Sequence, residues 1–250
     1  TGPAMSKPSI DGAVRPNLLV ACVGTATEVG KTWVGAQVVE SLRHRSINVA
    51  ARKPAESFDG DRHDPLDSQV LAHASGEPID HVTPPHRRYG VALAPPMAAK
   101  QLGLPPPLLG ALLSELTWPR GCRVGWLETV GGVRSPVAAD ADSLALCAAV
   151  APDVVVLVGD ASLGAIGAAR SAIDSIALGA PALVDRTVVL LNRFGPADAD
   201  HRENQRWLAA HLSQPVLTDV EALVEHLAVP LRRTGGSSDL GGESAREDGR

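Results

Sequence analysis

The chain has 250 residues, a net charge of −5 at neutral pH and an aromatic content of 3%. The mild negative charge argues against nucleic-acid binding, which favours a basic patch, and so few aromatic residues offer no stacking platform for single strands. A chain of this length can bury a substantial core as one α/β domain or as two small ones. We interpret the three cysteines as buried thiols in a reducing cytoplasm, because they lie in or beside apolar runs without metal-ligand spacing.

The sequence shows neither a targeting signal nor a membrane span. Residues 1–17 are polar and lack the apolar stretch of a signal peptide, and the four residues before Met5 are typical of an expression scar. No apolar run approaches the ~20 residues that a membrane span needs. We expect a cytoplasmic protein without a membrane partner. Its predicted organisation is a disordered segment over 1–16, one α/β domain over 17–233 and a disordered tail over 234–250.

Short apolar runs alternate with longer helix-like segments. The predicted strands cover 18–23, 47–51, 124–128, 154–159 and 187–191, with a weak strand near 215–217. The predicted helices cover 31–44, 66–74, 97–101, 108–115, 143–150, 166–178 and 200–211. Residues 80–107 are rich in proline and are predicted to form a long functional loop region. Continuous apolar strands that alternate with helices predict a parallel sheet covered by helices on both faces.

The segment between the first predicted strand and the first predicted helix ends in Gly30-Lys31-Thr32. A glycine-rich turn at this place presents backbone N–H groups to a polyphosphate, and the helix N-terminus adds partial positive charge. Lys31 can reach the β- and γ-phosphates, and the Thr32 hydroxyl can ligate Mg²⁺. Residues 25–29 separate Gly24 from Gly30, one residue more than the common form has. We call residues 24–32 the phosphate loop and predict that it binds a nucleoside triphosphate.

Charged residues follow the second predicted strand, at the edge of a parallel sheet where ligands collect. Lys53, which precedes Pro54, either faces the phosphates or is a surface lysine beside Arg52. The acidic residues downstream are candidate Mg²⁺ ligands or, alternatively, residues of solvated turns and helix caps. These residues are Asp59, Asp61, Asp64 and Asp67.

The third predicted strand ends in Glu128, and Gly131-Gly132 follows it. An unpaired glutamate at the tip of a buried strand is costly, so we predict that Glu128 belongs to a metal or phosphate site. The two glycines would let the backbone approach a ligand closely. Arg134 either pairs with a substrate carboxylate or lies on the surface.

The last two strand ends carry weaker signals. Residues 159–167 form a glycine-bearing turn into a helix, for which a structural role suffices. Asn192 ends the fifth predicted strand. Its amide offers a donor and an acceptor that suit a purine edge, or it simply forms a turn.

Together these residues resemble the dethiobiotin synthetase family. The resemblance runs from about residue 18 to residue 217 and is most specific over the phosphate loop, including its five-residue spacing. The other matching positions, in the order and spacing of the family, are Lys53-Pro54, Ser57, Asp67, Glu128, Gly131-Gly132 and Asn192. The resemblance implies a three-layer P-loop NTPase-like fold, with a mostly parallel sheet and helices on both faces, that works as a homodimer.

The same resemblance implies an ATP-dependent cyclo-ligase of biotin biosynthesis. In this reaction 7,8-diaminopelargonate, CO₂ and ATP give dethiobiotin, ADP and phosphate. One substrate amine forms a carbamate with CO₂, and the carbamate oxygen attacks the γ-phosphate. The second amine then closes the ureido ring and expels phosphate.

The resemblance also implies a role for individual residues. The ATP-binding residues would be Thr27, Glu28, Val29, Gly30, Lys31, Thr32, Trp33 and Asn192. The Mg²⁺ ligands would be Thr32, Asp67 and Glu128. The catalytic residues would be Lys31, Lys53 and Ser57, and the substrate would contact Ser57, Gly132, Val133 and Pro96.

The chain departs from the family pattern at Ala26, at Thr129-Val130 and at Gly167-Ala168, where the family often has an Asn-His pair. Two other classes of protein share parts of the pattern. A regulatory ATPase of the ParA/MinD type would carry an extra lysine early in the loop, where this chain has Val23-Gly24-Thr25. An amidating ligase related to cobyrinate synthesis usually carries an added glutaminase domain, for which this chain has no room.

Overall fold

A computed structural model describes residues 14–61 and 63–234 of the chain. The predicted N-terminal segment lies outside the described residues up to residue 13, and the predicted tail lies outside them beyond Thr234. The description of residues 17–233 as a single domain stays a prediction.

The described residues form strands and helices in alternation. The strands are β1 (Leu18–Gly24), β2 (Val49–Arg52), β3 (Glu56–Ser57), β4 (Arg88–Tyr89), β5 (Val124–Gly132), β6 (Pro136–Ala138), β7 (Ala141–Asp142), β8 (Val154–Asp160), β9 (Thr187–Asn192) and β10 (Val216–Leu217). The helices are α1 (Lys31–His44), α2 (Asp67–Ser75), α3 (Ile79–Val82), α4 (Pro95–Gln101), α5 (Leu109–Glu115), α6 (Ser143–Val150), α7 (Ala165–Gly179), α8 (Ala199–His211) and α9 (Val220–Thr234).

Six of these strands form one parallel sheet in the order β10-β9-β8-β1-β5-β2. Strand β1 lies in the middle, between β8 and β5. The strand ends that follow β1, β5, β8 and β9 therefore meet at one edge of the sheet. Two small sheets, β3 with β4 and β6 with β7, lie beyond the ends of β2 and β5 in the chain.

Both faces of the sheet are covered, which is why its strands are apolar without interruption. In β1 the side chains of Leu18, Val20 and Cys22 join a core cluster with residues of α1, α2 and α9. The alternate side chains Ala21 and Val23 join a second cluster with residues of α7 and α8 on the other face. A third cluster joins residues of β2 and β5 to residues of α4, α5 and α6. The fold is thus the predicted three-layer α/β fold of the P-loop NTPase type.

Two predictions about the elements are wrong. Residues 80–107 were predicted as a long loop region around a helix at 97–101, which corresponds to α4, but they also contain most of α3, a 3₁₀ turn at Pro85–Arg87 and β4. Helix α9 was not predicted, although Leu223, Val224 and Leu227 on one of its faces are fully buried. None of the helices in the described ranges combines the length and the apolar character that a membrane span needs.

Candidate nucleotide and substrate site

The phosphate loop joins the central strand β1 to α1 in a conformation that requires glycine at two positions. Gly30 has a φ of 90°, and a Cβ atom there would lie 2.1 Å from Asn192 Nδ2. A Cβ atom on Gly24 would lie 2.6 Å from the carbonyl oxygen of Ala26. Side chains at these two positions would therefore push the loop out of its path.

The ends of β8 and β9 hold the loop from the side. Asn192 Nδ2 donates a hydrogen bond of 2.9 Å to the carbonyl oxygen of Val29, and Arg193 Nη2 donates one of 2.8 Å to that of Glu28. Arg193 also forms a 2.7 Å ion pair with Asp160. Hydrogen bonds from Ser162, together with Arg193, lower the pKa of Asp160 to about 2. The carboxylate is therefore charged at neutral pH and holds Arg193 against the loop.

Lys31 and Thr32 open α1 and point toward the edge of the sheet. Lys31 is 7% exposed, and its Nζ lies 3.4 Å from the carbonyl oxygen of Ala26. Burial lowers the pKa of Lys31, although the charge of Glu128 acts in the opposite direction. The Thr32 hydroxyl donates a 2.8 Å hydrogen bond to Glu128 Oε1.

Lys53 joins two carboxylates beneath the phosphate loop. Its Nζ lies 2.5 Å from Glu128 Oε1 and 2.8 Å from Asp67 Oδ2. Burial by itself would lower the pKa of Lys53, but the charges of Glu128 and Asp67 outweigh it and raise this pKa above its usual value. Lys53 is therefore an ammonium ion at neutral pH although it is 3% exposed.

The two oxygens of Glu128 have different surroundings. Oε1 accepts from both Thr32 and Lys53, whereas Oε2 is buried and has no hydrogen-bond partner among the described residues. A buried carboxylate oxygen without a partner is unfavourable unless another group engages it. The hydroxyl of Thr32 and the carboxylates of Asp67 and Glu128 are the oxygen ligands that Mg²⁺ prefers. These residues thus fit a magnesium ion, although the described part of the chain contains no cluster of three His, Cys, Asp or Glu side chains.

A second buried carboxylate, Glu56, positions the start of α2. Both of its oxygens accept hydrogen bonds from Ser68, one from the backbone N–H and one from the hydroxyl. Burial raises the pKa of Glu56, while these hydrogen bonds oppose the shift. Asp67 precedes Ser68, so Glu56 fixes the turn that carries Asp67 toward Lys53.

Two cavities flank the phosphate loop. The first has a volume of about 610 Å³, and its lining includes Gly30, Trp33, Asn192 and Phe194. The second has a volume of about 580 Å³, and its lining includes Thr25, Thr27, Gly132, Val133 and Arg134. The loop therefore separates a cavity with aromatic walls from one with walls of mainly small residues.

The structure brings together some of the predicted site residues and not others. Thr32, Lys53, Asp67 and Glu128 form one connected group, and the roles that the resemblance implies for them stay predictions. The other candidate carboxylates, Asp59, Asp61 and Asp64, are exposed. Arg52 turns away and pairs with Glu77 at 2.9 Å.

The remaining predicted residues occupy several places. Thr27, Gly132 and Val133 line the second cavity, and Trp33 lines the first. Ser57 lies half-buried in β3, and Pro96 is buried in α4 without lining either cavity. Their predicted contacts with substrate stay predictions.

Sequence reasoning missed Glu56, Asp160 and the contact that Arg193 makes with the loop. A signal was available for Asp160 and Arg193, because each lies at or just after the end of an apolar strand of a parallel sheet. Glu56 carries no such signal, since its role depends on the packing of β3 against α2.

Comparison with known proteins identifies relatives of this chain. No family model matches it. The ATP-dependent dethiobiotin synthetase of Phenylobacterium zucineum is 33% identical over 196 residues, which cover 75% of this chain and 82% of that protein. The synthetase of Caulobacter vibrioides is 35% identical over 54% of this chain and 64% of its own length. The synthetase of Xanthomonas campestris is 27% identical over 83% of this chain and 96% of its own length.

A solved structure of a plasmid partition protein from Borrelia burgdorferi, bound to AMPPNP, is a more distant likeness. It is 11% identical, with a TM-score of 0.49 over 88% of this chain and 100% of that chain.

Proposed function

This chain belongs to the ATP-dependent dethiobiotin synthetase family, and on that premise we propose the reaction that it catalyses. The reaction is the Mg²⁺- and ATP-dependent carboxylation of 7,8-diaminopelargonate with CO₂ and its ring closure, which yields dethiobiotin, ADP and phosphate. One observation carries the proposal. Thr32 of the phosphate loop and Lys53 both donate to one oxygen of Glu128, and its other oxygen has no hydrogen-bond partner in the described part of the chain.

ATP would lie across the phosphate loop with its base in the first cavity. Trp33 and Phe194 provide aromatic surface there for stacking with adenine. The Asn192 amide nitrogen donates one of its two N–H groups to Val29, and its carbonyl oxygen would accept from the amino group of adenine. The phosphate oxygens would accept hydrogen bonds from the backbone N–H groups of residues 27–32, at the start of α1.

Mg²⁺ would be held by Thr32, Asp67 and Glu128, and it would neutralise charge on the phosphates. Lys31 and Lys53 supply further positive charge where phosphoryl transfer requires it. Because its pKa is raised, Lys53 keeps its charge and can orient the anionic oxygens of the carbamate and the γ-phosphate. Ser57, in the strand that follows Lys53, would donate a hydrogen bond to the same oxygens.

A coupled assay of phosphate release tests this function. We expect release that requires Mg²⁺, ATP, 7,8-diaminopelargonate and bicarbonate together, with dethiobiotin detected by mass spectrometry. Phosphate release that is indifferent to the diamine and to bicarbonate would instead favour a regulatory ATPase. Lys31→Ala should abolish turnover while its circular dichroism spectrum stays that of the unchanged protein, because the role of this lysine is electrostatic.

We also propose that the protein is a cytoplasmic homodimer without nucleic-acid or membrane partners. Support for the dimer comes from α7, because Leu163 just before it is 98% exposed and Leu178 near its end is 89% exposed. The two leucines lie near opposite ends of this 15-residue helix, so a partner chain that covers both of them would lie along α7. Sedimentation equilibrium should give the mass of two chains, and Leu163→Arg should shift it toward one chain of 25.9 kDa.

A further inference from the structure

Lys53 lies between two of the residues that would hold Mg²⁺. Its Nζ is 2.5 Å from Glu128 Oε1 and 2.8 Å from Asp67 Oδ2, so the ammonium group contacts both carboxylates. Thr32, which would be the third ligand, donates to the same oxygen of Glu128. The lysine therefore supplies, at these carboxylates, the positive charge that a metal ion would also supply.

A divalent metal ion and the Lys53 ammonium group compete for these carboxylates. Mg²⁺ binds its oxygen ligands at about 2.1 Å, so an ion held by Asp67 and Glu128 would come close to the Nζ that contacts both. Like charges at such short range repel strongly, and burial keeps water from screening them. Lys53 is 3% exposed and Glu128 is fully buried. The ammonium group must therefore move before the two carboxylates can bind the metal tightly.

The triphosphate of ATP offers the displaced lysine another anionic partner. A lysine ammonium group is a point charge on a flexible stem, so it can change partners without movement of the backbone. We propose that Lys53 and Mg²⁺ exchange at the two carboxylates: the lysine neutralises Asp67 and Glu128 before the nucleotide binds, and it moves to the phosphates when Mg²⁺ arrives with ATP. The inference rests on the proposed function, which assigns Mg²⁺ to these residues. A metal ion that arrives without nucleotide should then bind the protein weakly.

Mn²⁺ binding to the protein without nucleotide tests the exchange. Mn²⁺ accepts the same oxygen ligands as Mg²⁺, and electron paramagnetic resonance measures its free concentration directly. We expect Lys53→Met to bind Mn²⁺ at least about 10-fold more tightly than the unchanged protein does, because the competing charge is gone. Adding Asp67→Asn to this variant should abolish the gain, which distinguishes this site from the exposed carboxylates of the surface. The control Lys100→Met removes an exposed lysine of α4 and should leave the affinity for Mn²⁺ unchanged.

Binding of the nucleotide should respond in the opposite direction. Lys53→Met should bind a non-hydrolysable ATP analogue with Mg²⁺ about 10-fold more weakly, because the phosphates lose a charged donor. Isothermal titration calorimetry measures this affinity. A lysine that only stabilises the fold would weaken the binding of both ligands or of neither. Lys53→Gln, which is uncharged but can still donate to Glu128, should show the same two changes and replaces Lys53→Met if that variant fails to fold.

The exchange and the proposed function fail in different ways. Mn²⁺ binding that is unchanged or weaker in the Lys53 variants would overturn the exchange, and formation of dethiobiotin by the unchanged protein would show that the proposed function survives. Absence of dethiobiotin formation would instead overturn the proposed function, and this inference with it.

Discussion

At the scale of single residues, the ion pairs of Lys53 are the main electrostatic feature of the site. Lys53 and Glu128 are both buried, and Asp67, which is more exposed, completes the group. Removing one partner of a buried ion pair leaves an uncompensated charge, whereas removing both often changes stability little. Comparing the stability and the activity of single and double variants of Lys53 and Glu128 therefore distinguishes a role in function from a role in folding.

We expect Lys53→Met to lower the free energy of unfolding by about 3–5 kcal/mol, because it leaves the carboxylate of Glu128 buried without its cation. The double variant Lys53→Met/Glu128→Gln should recover most of this loss and remain inactive. Urea denaturation measures both, and Lys100→Met, at an exposed lysine of α4, is the control. A double variant no more stable than Lys53→Met would show that the loss does not come from the charge of Glu128.

Arg193, just after β9, contacts the phosphate loop at Glu28 and the end of β8 at Asp160. It donates to the carbonyl oxygen of Glu28, a residue with a φ of 61°, which is unusual for a side chain of this kind. Arg193 itself has a φ of 56°. These strained conformations indicate that contacts from β8 and β9 hold the loop in shape.

We expect Arg193→Ala to raise the KM for ATP about 10-fold, the loss of one hydrogen bond to a charged donor, with little change in kcat at saturating ATP. The loop would then have to become ordered when the nucleotide binds. Arg206→Ala, which removes a 66% exposed side chain paired with Glu203 within α8, is the matched control. An unchanged KM for ATP would mean that Asn192 and the glycines hold the loop without Arg193.

Sequence reasoning found the residues of the site whose position in the chain is informative. Glu128 stands out because it is a carboxylate within a buried apolar strand, β5. Lys53 stands out because it directly follows β2, the strand that pairs with β5. Arg193 lies just after a strand end, but its contact with Glu28 and its pairing with Asp160 depend on β8 and β9 being neighbours in the sheet. For Asn192 the sequence predicts either a contact with a purine or a role in a turn. The structure shows that its side chain donates a hydrogen bond to the carbonyl oxygen of Val29.

At the scale of elements, the packing of α1 on β5 depends on a glycine. A Cβ atom on Gly35 would lie 2.6 Å from Trp126 Nε1 and 3.2 Å from Leu71 Cδ2. Trp126 is fully buried in β5, so it has no space into which it could move. The missing side chain at Gly35 lets the first helix lie close to the sheet.

We expect Gly35→Ala to lower the free energy of unfolding by about 1–3 kcal/mol, because the added methyl group overpacks the core. Gly110→Ala is the control, since Gly110 is exposed in α5 and has nothing within 4 Å of an added Cβ. That variant should raise the free energy of unfolding by about 0.5–1 kcal/mol through helix propensity. Chemical denaturation followed by tryptophan fluorescence compares the two, and equal effects would contradict the packing argument.

The elements that sequence reasoning missed are those stabilised by packing rather than by local preference. Helix α9 contains Pro230 and several β-branched valines, which disfavour a helix. It forms because Leu223, Val224 and Leu227 are buried in the same core cluster as residues of α1. The bounds of α1 and α6 were predicted correctly, because α1 begins at the end of the phosphate loop and α6 is a short run of good helix formers after Asp142.

At the scale of the whole molecule, each of the three core clusters contains one cysteine. Cys22 lies in the cluster beneath α1 and α9, Cys147 in the cluster beneath α7, and Cys122 in the cluster with α4 and α5. All three are buried free thiols. Burial raises the pKa of Cys122 to about 11 and that of Cys147 to about 12, and it also raises the pKa of Cys22. Thiolate is scarce at each of these sites at pH 8, so a thiol reagent reports their exposure.

If residues 17–233 are one domain, these three thiols should react together, at the rate at which the whole domain opens. We expect labelling at pH 8, mapped peptide by peptide with mass spectrometry, to give one common rate for the three cysteines. Mg²⁺ with ATP should slow all three by the same factor, because a ligand that binds only the folded state stabilises everything that unfolds with it. Labelling of Cys122 ahead of the other two would show that the region around α4 and α5 opens independently. The domain would then be two cooperative units that meet at β5, the strand that carries Glu128.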